Sequence, residues 1–552
     1  MDACSTHEVF NQSEPLADYN LYETDAALRE AVAREGAGAW DGALHARGAH
    51  LGRRRMFELG ALANAQPPML ATHDPQGRRI DQVRLCPAWH ELLADMAGYG
   101  LHSGAWAQPS PGAQVARAAA FLMQGQVEAG SLCPVTMTFG ALAVLRQEPA
   151  GVIDYAGLWL PRLMAPRYDR RDLPVAAKHG ALLGMGLTEK QGGSDVRANT
   201  TRAEPVAGAG QGQAYLLRGH KWFYSVPQSD AHLVLAQAAE GPSCFFVPRR
   251  LPDGRRNAQR LMRLKDKLGN RSNASAEVEF QDAWGAMVGE PGRGIATLIK
   301  VASYTRLDCA LGSAALLRQA LVRALHHACG RRAFGKPLIE HPLMRNVLCD
   351  LTLESEAATA LALRLARAFD RAQDPAEQAL ARLGTPAAKL WICKRTIAAL
   401  AECMEVLGGN GYVEESMLAR LYREAPVNSI WEGAGNIMAL DVLRALQRHP
   451  QALPALRDEL LPARGQFALY DEALRDFEAL AASAGQAQGL ARRLAARLAC
   501  LWQAALLIRH APAPVAQAFV LARLGEPAGL CGGLPAQACD ERLLRRAWPP
   551  IC

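Results

Sequence analysis

A single carboxylate, Glu432, stands among small and apolar residues in the stretch VNSIWEGAGNI, residues 427–437. A carboxylate beside apolar surface is costly to keep charged, so it usually has either a partner or a chemical role. The alternative is that the acid only favours the start of the following helix, because helix N-termini attract negative charge. This stretch alone favours the alternative, so other parts of the chain must decide.

A glycine-rich loop is the second candidate. The stretch GMGLTEKQGGSDV, residues 184–196, offers backbone N–H groups and the hydroxyls of Thr188 and Ser194 with little side-chain bulk around them. Such a loop suits a phosphate or the polar edge of a flat ring. It matches neither the dinucleotide nor the Walker glycine motif, and Gly-Gly-Ser-Asp also makes an ordinary turn.

The stretch GHKWFYSVPQSDAH, residues 219–232, has the pattern of a strand. Alternation predicts Lys221, Phe223 and Ser225 on one face and Trp222 and Tyr224 on the other. An aromatic ring and a hydroxyl on one face could cover a planar cofactor. Packing against a neighbouring helix is the alternative, and it is favoured for any single aromatic strand.

The C-terminal part of the chain is basic. Residues 444–552 hold 13 arginines and 9 acids, a net +4, whereas residues 1–443 carry 48 basic and 45 acidic residues, a net +3. In ARRLAARLACLWQAALLIRH the arginines can align on one helical face, and DERLLRRAWPP adds Arg542, Arg545 and Arg546. Such a face could contact nucleic-acid phosphates. A solvated amphipathic helix is the alternative, and arginine-rich composition along the whole chain is compatible with compositional bias.

The bulk composition indicates a globular, cytoplasmic protein of two to four domains. The chain has 552 residues, 50% of them hydrophobic and 21% charged, and its apolar runs are too short to span a bilayer. Its first residues lack the pattern of a secretory signal. Thirteen scattered cysteines without a CxxC pair argue against a zinc site and a disulfide framework, so we expect reduced, mostly buried thiols and no bound metal.

The elements that must position these motifs follow from periodicity. Spacing is mostly helical from residue 25 to 147, and short β-branched and aromatic runs replace it after about residue 181. Helical spacing returns at about residue 294 and continues, broken by prolines, to the C-terminus. The pattern predicts an α+β fold with domains at residues 1–180, 181–290, 291–447 and 448–552.

Several motifs together resemble the acyl-CoA dehydrogenase flavoprotein family. LTEKQGGSD, GHKWFYS and VLGGNGYVEESMLARLYREAPVNSIWEGAGNI occur in that family's order and spacing. The residues within these motifs, and the similarity over essentially the whole chain, resemble the branch of the family that protects against alkylation. The resemblance implies an N-terminal helical domain, a middle antiparallel β-barrel, a C-terminal helical bundle and an extra C-terminal helical domain. It also implies bound FAD and a homotetramer.

The resemblance assigns roles to individual residues. It makes Glu432 the base that removes the α-proton of an acyl thioester. It places double-stranded DNA on a basic face that we predict to contain Arg444, Arg492, Arg493, Arg497, Arg509 and Arg546. It predicts that the residues contacting FAD are Met185, Leu187, Thr188, Gly193, Ser194, Phe223, Ser225, Arg331, Phe334, Gly408, Gly409, Ile430, Trp431 and Asn436.

The chain also departs from the family pattern. Thr305 precedes Arg306, where some relatives carry the base, so Glu432 is the remaining candidate. Trp431 replaces a tyrosine and is expected to narrow the thioester channel, while Ala434 and Glu405 replace residues that contact the cofactor in relatives. The resemblance to the alkylation-protection branch implies weak dehydrogenase activity at most, and a channel narrowed by Trp431 would account for it. The alternatives are a genuine short- or branched-chain acyl-CoA dehydrogenase, or a protein that uses FAD only as a folding element.

Overall fold

The computed structural model describes residues 6–483, 488–525 and 530–550. The chain divides into two compact units. The first comprises Met1–Phe57, Gln114–Val127 and Cys309–Cys552, and the second comprises Glu58–Ala113 and Glu128–Asp308.

Among the described residues, all strands lie before residue 338, and the elements after it are helical. The helices are α1 (Ala26–Arg34), α2 (Asp41–Leu51), α3 (Arg54–Ala65), α4 (Pro87–Tyr99), α5 (Gly104–Ala107), α6 (Ala113–Val127), α7 (Leu132–Leu145), α8 (Leu160–Leu163), α9 (Gly294–Gly330), α10 (Pro342–Asp370), α11 (Pro375–Val406), α12 (Gly409–Tyr412), α13 (Met417–Asn428), α14 (Gly435–Arg448), α15 (Ala452–Leu460), α16 (Ala468–Ser483), α17 (Ala491–His510), α18 (Ala513–Arg523) and α19 (Glu541–Ala547). The strands are β1 (Met69–His73), β2 (Arg79–Arg84), β3 (Leu183–Gly186), β4 (Arg202–Pro205), β5 (Ala214–Ser225), β6 (Ala231–Ala238), β7 (Gly241–Pro248), β8 (Gln259–Leu264), β9 (Ser275–Val288), β10 (Arg332–Ala333) and β11 (Lys336–Pro337).

Strands β3 to β9 form one sheet in the second unit, where the sequence predicts a β domain. Strand β5 pairs with β9, β9 with β7, and β7 with β6. Both β3 and β4 pair with β6 and with β5, so the pairings form a closed ring. Most of these pairs are antiparallel, as predicted. The expectation of a wholly antiparallel sheet is wrong for β3 and β4, because each of these short strands pairs with β6 in parallel.

The middle strands β6 and β7 are buried on both faces. Along β6, Leu233 and Leu235 pack in one core cluster while Val234 and Ala236 pack in the other. Because side chains of a strand alternate between its two faces, a strand between two cores must be apolar at nearly every position. This requirement explains the continuous apolar runs HLVLA and SCFFVP.

The hairpin β1–β2 was not predicted from the sequence. Its antiparallel pairing runs from Met69 opposite Arg84 to His73 opposite Arg79, with an irregularity after Ala71. Both strands are short and half-exposed, and only β2 is mainly polar, so hydrophobic periodicity does not distinguish the hairpin from a loop. The mainly helical character predicted for residues 25–147 is otherwise confirmed.

The first unit is a helical bundle that shares buried ion pairs with the C-terminal extension. Arg364 of α10 donates to Glu377 of α11 at 2.8 Å and to Glu459 of α15 at 2.7 Å. Arg523 of α18 donates to Asp350 of α10 at 2.5 Å. Removing one member of such a pair leaves an uncompensated buried charge, which costs about 3–5 kcal/mol. These pairs therefore specify how the extension packs on α10.

Thiol state and hydropathy match two expectations. The cysteines of the described ranges are free, and seven of them are buried, among them Cys133 and Cys244. This confirms the prediction of reduced, mostly buried thiols; Cys4 and Cys552 lie outside the described residues. Within the part of the chain that the structure describes, each helix is too short or too polar to cross a membrane.

Candidate active site

The glycine loop and the aromatic strand meet in the second unit. Met185 of β3 lies directly opposite Ser225 of β5 in the antiparallel pairing. Beyond β3, the Thr188 carbonyl accepts a hydrogen bond from the Trp222 backbone N–H at 2.8 Å. Residues separated by some forty positions in the chain are thus adjacent, and both motifs line one region of the sheet.

The loop after β3 packs closely on itself at Gly193. A Cβ atom added there would lie 2.6 Å from the Thr188 hydroxyl oxygen, so any side chain at this position would displace Thr188. Gly192, its neighbour, has φ +153, and Ser194 is exposed. The loop is therefore compact and leaves Ser194 exposed; its contact with a cofactor stays a prediction.

A buried ion pair that was not predicted from the sequence holds this loop to β5. Glu189 and Lys221 are 2.8 Å apart and their side chains are fully buried. Glu189 also accepts hydrogen bonds from the backbone and hydroxyl groups of Thr200 and Thr201, at 2.6–3.0 Å. Burial raises the pKa of Glu189, but the charge and hydrogen bond of Lys221 lower that pKa more, to well below its usual range. The pairing of Thr-Glu in the loop with Lys in GHKWFYS is the sequence signal that could have revealed it.

The predicted alternation along β5 is wrong near its end. Lys221 and Tyr224 are both buried although they are three positions apart, which strict alternation would place on opposite faces. The reason is a register shift in the pairing with β9, where Lys221 lies opposite Val278 and Tyr224 opposite Ala276. This interval gives β5 one more residue than β9, which is a β-bulge. Phe223, predicted to share a face with Lys221, is instead 48% exposed.

Glu432 lies in the first unit, in a strained turn between α13 and α14. It has φ +59 and Gly433 has φ +107; a non-glycine residue with positive φ is uncommon and costs conformational energy. Helix α14 begins after its N-cap residue, Ala434, so Glu432 lies outside the first helical turn. An acid that only favoured a helix start would not need this conformation.

Buried neighbours hold that turn in place. The Lys389 ammonium, 1% exposed, donates to the Gly433 carbonyl at 2.8 Å. The Trp431 indole N–H donates to the Asn428 side chain at 3.1 Å, and Asn428 donates to the Ser313 hydroxyl at 3.2 Å. These hydrogen bonds therefore fix the orientation of the Trp431 ring, whereas Ile430 is 63% exposed.

The remaining predicted cofactor residues of the first unit are the pair Gly408 and Gly409, Asn436, and the pair Arg331 and Phe334. Gly408 has φ +60, and Cβ atoms added at Gly408 or Gly409 would have no neighbour within 4 Å. The Asn436 side chain accepts a hydrogen bond from Arg492 of α17 at 3.3 Å. The assignment of these residues to a cofactor stays a prediction.

A short hairpin carries Arg331 and Phe334. Phe334 lies at its tip, between β10 and β11, with φ +49 and 96% exposure. Arg331 donates to the Asn11 carbonyl of its own chain at 2.6 Å. Thr305 and Arg306, the position at which some relatives carry the base, are both buried in α9.

The predicted DNA-contacting arginines differ in their surroundings. Arg444, Arg492 and Arg493 are exposed, and Arg497 is half-buried. Arg509 donates to the Glu459 carbonyl at 3.3 Å. Arg546 is bound to two carboxylates, Glu30 and Glu356, each at 2.7 Å.

Comparison with protein families gives three adjacent matches. They are the adaptive response protein AidB N-terminal domain over residues 11–170, the acyl-CoA dehydrogenase middle domain over 184–283 and the acyl-CoA dehydrogenase C-terminal domain over 292–447. The chain is 52% identical to AidB of Escherichia coli (strain K12) over 543 residues, covering 98% of each chain.

Solved structures share the fold. Caenorhabditis elegans ACDH-11 in complex with C11-CoA superposes with a TM-score of 0.83 at 24% identity, covering 100% of this chain and 93% of that one. An acyl-CoA dehydrogenase of Bacillus anthracis complexed with FAD has a TM-score of 0.64 at 17% identity, covering 84% and 81%. The predicted order of helical, sheet and helical domains is confirmed. FAD is the cofactor of the family to which these domains belong.

Proposed function

Because this chain belongs to the acyl-CoA dehydrogenase family, in the branch of AidB, we propose that it is a cytoplasmic flavoprotein that protects DNA from alkylation. In this proposal it contains FAD, binds double-stranded DNA and has at most weak acyl-CoA dehydrogenase activity. The observation that carries the proposal is the 52% identity to AidB over 98% of the chain, supported by the adaptive-response domain at residues 11–170.

The residues of the second unit fit a flat cofactor. Gly193 lets the loop pack closely on Thr188, where a Cβ would clash with the hydroxyl oxygen, and the Met185 and Ser225 positions lie opposite each other. Phe223 is a large aromatic ring that is 48% exposed, so part of it is accessible for contact with a flat cofactor. We assign these residues, with Leu187, Gly193 and Ser194, to the ring and phosphates of FAD.

The first unit offers a second set of candidate contacts. Ile430, which is 63% exposed, and Trp431, whose ring is fixed, directly precede Glu432. The open turn at Gly408 and Gly409 can admit a group that binds to backbone atoms. Asn436 is a weaker candidate because it already accepts from Arg492. When bound, FAD supplies a two-electron acceptor.

Glu432 is the residue we assign to proton removal. Its turn is strained and is held by buried Lys389 and Asn428, and strain of this kind is concentrated at functional sites. A carboxylate so held could accept the α-proton of an acyl thioester. Trp431 is larger than the tyrosine of relatives, and this accounts for the weak activity that we propose.

The proposed DNA face lies on α14 and α17. Arg444, Arg492, Arg493 and Arg497 lie on these two helices, which the Arg492 to Asn436 hydrogen bond joins. Contacts from such side chains go to phosphates, so binding should be sensitive to salt and nearly independent of sequence. Arg509 and Arg546 contribute less in this proposal, because protein groups already occupy their guanidinium groups.

A homotetramer is also part of the proposal. Phe334 is 96% exposed at the tip of its hairpin, and burying such a ring against another subunit would be favourable. Arg331 is a less direct candidate for reaching a partner subunit's FAD, since its guanidinium donates to the Asn11 carbonyl.

The central experiment exposes duplex DNA to a methylating reagent with and without the purified holoprotein. We expect fewer methylated bases in the presence of the protein, and the flavin spectrum, followed in parallel, reports whether the reagent is consumed at the flavin. The same number of lesions at saturating protein, with DNA fully bound, would refute the protective function.

A genuine acyl-CoA dehydrogenase is the second candidate, and the geometry at Glu432 favours it. In that case a short- or branched-chain acyl-CoA should bleach the flavin rapidly, at 1–1,000 per second as is typical of enzymes, and Glu432→Gln should abolish bleaching. Trp431→Tyr serves as the matched variant, because it restores the residue common in relatives. Slow bleaching that Trp431→Tyr accelerates would favour the protective flavoprotein instead.

A further inference from the structure

A polar cavity in the second unit has no role in the proposed function. It has a volume of about 300 Å³. Hairpin β1–β2, helix α4, the segment around Tyr168 and the loop that follows β5 contribute its walls. A second cavity of about 630 Å³ shares His90, Tyr168, Asp169 and Arg170 with it. We call them the inner and the outer cavity.

Several residues that line the inner cavity contain buried polar atoms without a hydrogen-bond partner among the described residues. The indole N–H of Trp89, the hydroxyl of Ser229, both amide atoms of Gln228 and the Nε of Arg249 have no hydrogen-bond partner among the described residues. Trp89 is 1% exposed and Ser229 is 4% exposed. Buried polar groups are rarely left unsatisfied, and four such side chains around one cavity indicate an occupant that hydrogen-bonds to them.

Most of these groups are hydrogen-bond donors. An indole N–H and a guanidinium Nε–H can only donate, whereas the Ser229 hydroxyl and the Gln228 amide can donate or accept. The occupant must therefore supply acceptor oxygens. A purely apolar molecule would leave all of these groups unsatisfied.

The charges around the two cavities favour a negative occupant. Asp172 lies 2.9 Å from Arg249, 2.8 Å from Arg250 and 2.7 Å from Arg256, so one carboxylate faces three guanidinium groups. Burial raises the pKa of Asp172, but these arginines lower it more, to about 2. The walls together carry six cationic side chains and four acidic ones, namely Arg167, Arg170, Arg171, Lys178, Arg249 and Arg256 against Glu91, Asp169, Asp172 and Asp230.

Part of this charge is already paired inside the wall. Lys178 lies 2.5 Å from Asp230, and Arg171 lies 2.6 Å from Asp169. Arg167 and Arg170 are exposed and have no carboxylate partner within the described ranges. Burial and the charge of Arg170 lower the pKa of His90, so His90 adds no charge at neutral pH. Its ring Nδ1 is hydrogen-bonded to the Tyr168 hydroxyl at 2.7 Å.

We propose that the inner and outer cavities form a binding site for a small organic anion that carries a carboxylate or a phosphate. Its oxyanion accepts hydrogen bonds from Trp89, Ser229 and Arg249, and the unpaired Arg167 and Arg170 lie along the outer cavity. Water alone could satisfy the hydrogen bonds, but an anion would also offset the two cationic side chains by which the walls exceed their acidic ones. The volumes fall in the range of small-molecule sites.

The test is isothermal titration of the purified holoprotein with inorganic phosphate and, separately, with succinate, with ionic strength held constant. We expect saturable 1:1 binding of at least one anion with a Kd below about 1 mM, since hydrogen bonds to a charged group are the stronger kind. Phosphate alone binding would identify a phosphate site, and succinate alone a carboxylate site.

Two variants examine the site itself. Ser229→Ala and Arg249→Gln should each weaken binding at least tenfold. Both variants should fold. When Arg249 is replaced, Asp172 keeps its ion pairs with Arg250 and Arg256. Arg218→Gln is the matched control, since Arg218 forms an exposed ion pair with Asp282 elsewhere in the unit. Absence of saturable binding of either anion would overturn the proposal, and so would binding that both site variants leave unchanged.

Discussion

Two groups of arginines near the C-terminus are similar in sequence and opposite in environment. On α14 and α17, Arg444 and Arg493 are exposed and have no carboxylate partner within the described residues. On α19, Arg542 is bound to Asp540, Arg545 to Glu541, and Arg546 to both Glu30 and Glu356. A carboxylate bound to an arginine offsets its positive charge and competes with a phosphate for the same N–H donors. Counting basic residues therefore overstates the surface available to DNA, and the comparison selects α14 and α17.

The largest expected effect comes from breaking the paired group at Arg546. Arg546→Ala would leave Glu356, a buried carboxylate whose side chain is 7% exposed, without its guanidinium partner. We expect the free energy of unfolding to fall by about 3–5 kcal/mol, measured by urea denaturation, whereas the DNA affinity of the folded variant should fall only slightly.

A double variant provides the control for this prediction. Arg546→Met with Glu356→Leu removes both charges, and we expect most of the lost stability to return, because apolar replacement of a whole buried pair is often neutral. A single variant as stable as the original chain would show that the ion pair contributes nothing.

The second effect concerns the exposed group. Arg444→Glu with Arg493→Glu should weaken binding to duplex DNA by about 10- to 100-fold at low salt, because two phosphate contacts become repulsive. Fluorescence anisotropy of a labelled duplex measures the change. Arg542→Glu with Arg545→Glu alters net charge equally and is the matched control, for which we expect a much smaller loss. Equal losses in the two variants would mean that net charge alone, and not this face, determines binding.

The salt dependence sharpens the same comparison. Arg444→Gln with Arg493→Gln should reduce the slope of log K against log salt by about 1.8, since each phosphate contact contributes about 0.9. Titrations between roughly 50 and 200 mM salt give the slope. Glutamine at Arg542 and Arg545 should leave the slope unchanged, and a reduced slope there would place DNA on α19.

The smallest effect is expected at the exposed ion pair of α19. Arg545 and Glu541 are one helical turn apart and their side chains are about half exposed. Arg545→Ala should change the free energy of unfolding by less than about 0.5 kcal/mol, within the scatter of a denaturation curve. A loss comparable with that of Arg546→Ala would show that exposure does not separate the two pairs.

Local patterns in the chain were enough to predict much of the fold and of the candidate site. The glycine loop and the aromatic strand were recognised as motifs, and the structure pairs Met185 with Ser225. Glu432 was recognised as a candidate acid from its small and apolar neighbours, whereas its backbone φ of +59 was not predicted. Such features depend on neighbours in sequence, so they can be read without knowing the fold.

Other features were outside the reach of local pattern. A bulge in β5 shifts the faces of Lys221 and Phe223, because one extra residue reverses the alternation that period two predicts. The short, half-exposed hairpin β1–β2 carries no clear periodic apolar signal. The buried partnership of Glu189 with Lys221 joins residues 32 positions apart, and neither residue type reveals by itself that it is buried.

By itself, the sequence determined the order of helical and sheet regions, the family motifs and the position of the acid at Glu432, because backbone propensity and apolar spacing act over a few residues. Only the tertiary structure decided which charges are free. Arg546 meets Glu30 across 516 positions, and Trp89, Ser229 and Arg249 converge on one cavity from three separate segments. The energy of a charge or a buried donor depends on what surrounds it in space, and folding sets those surroundings.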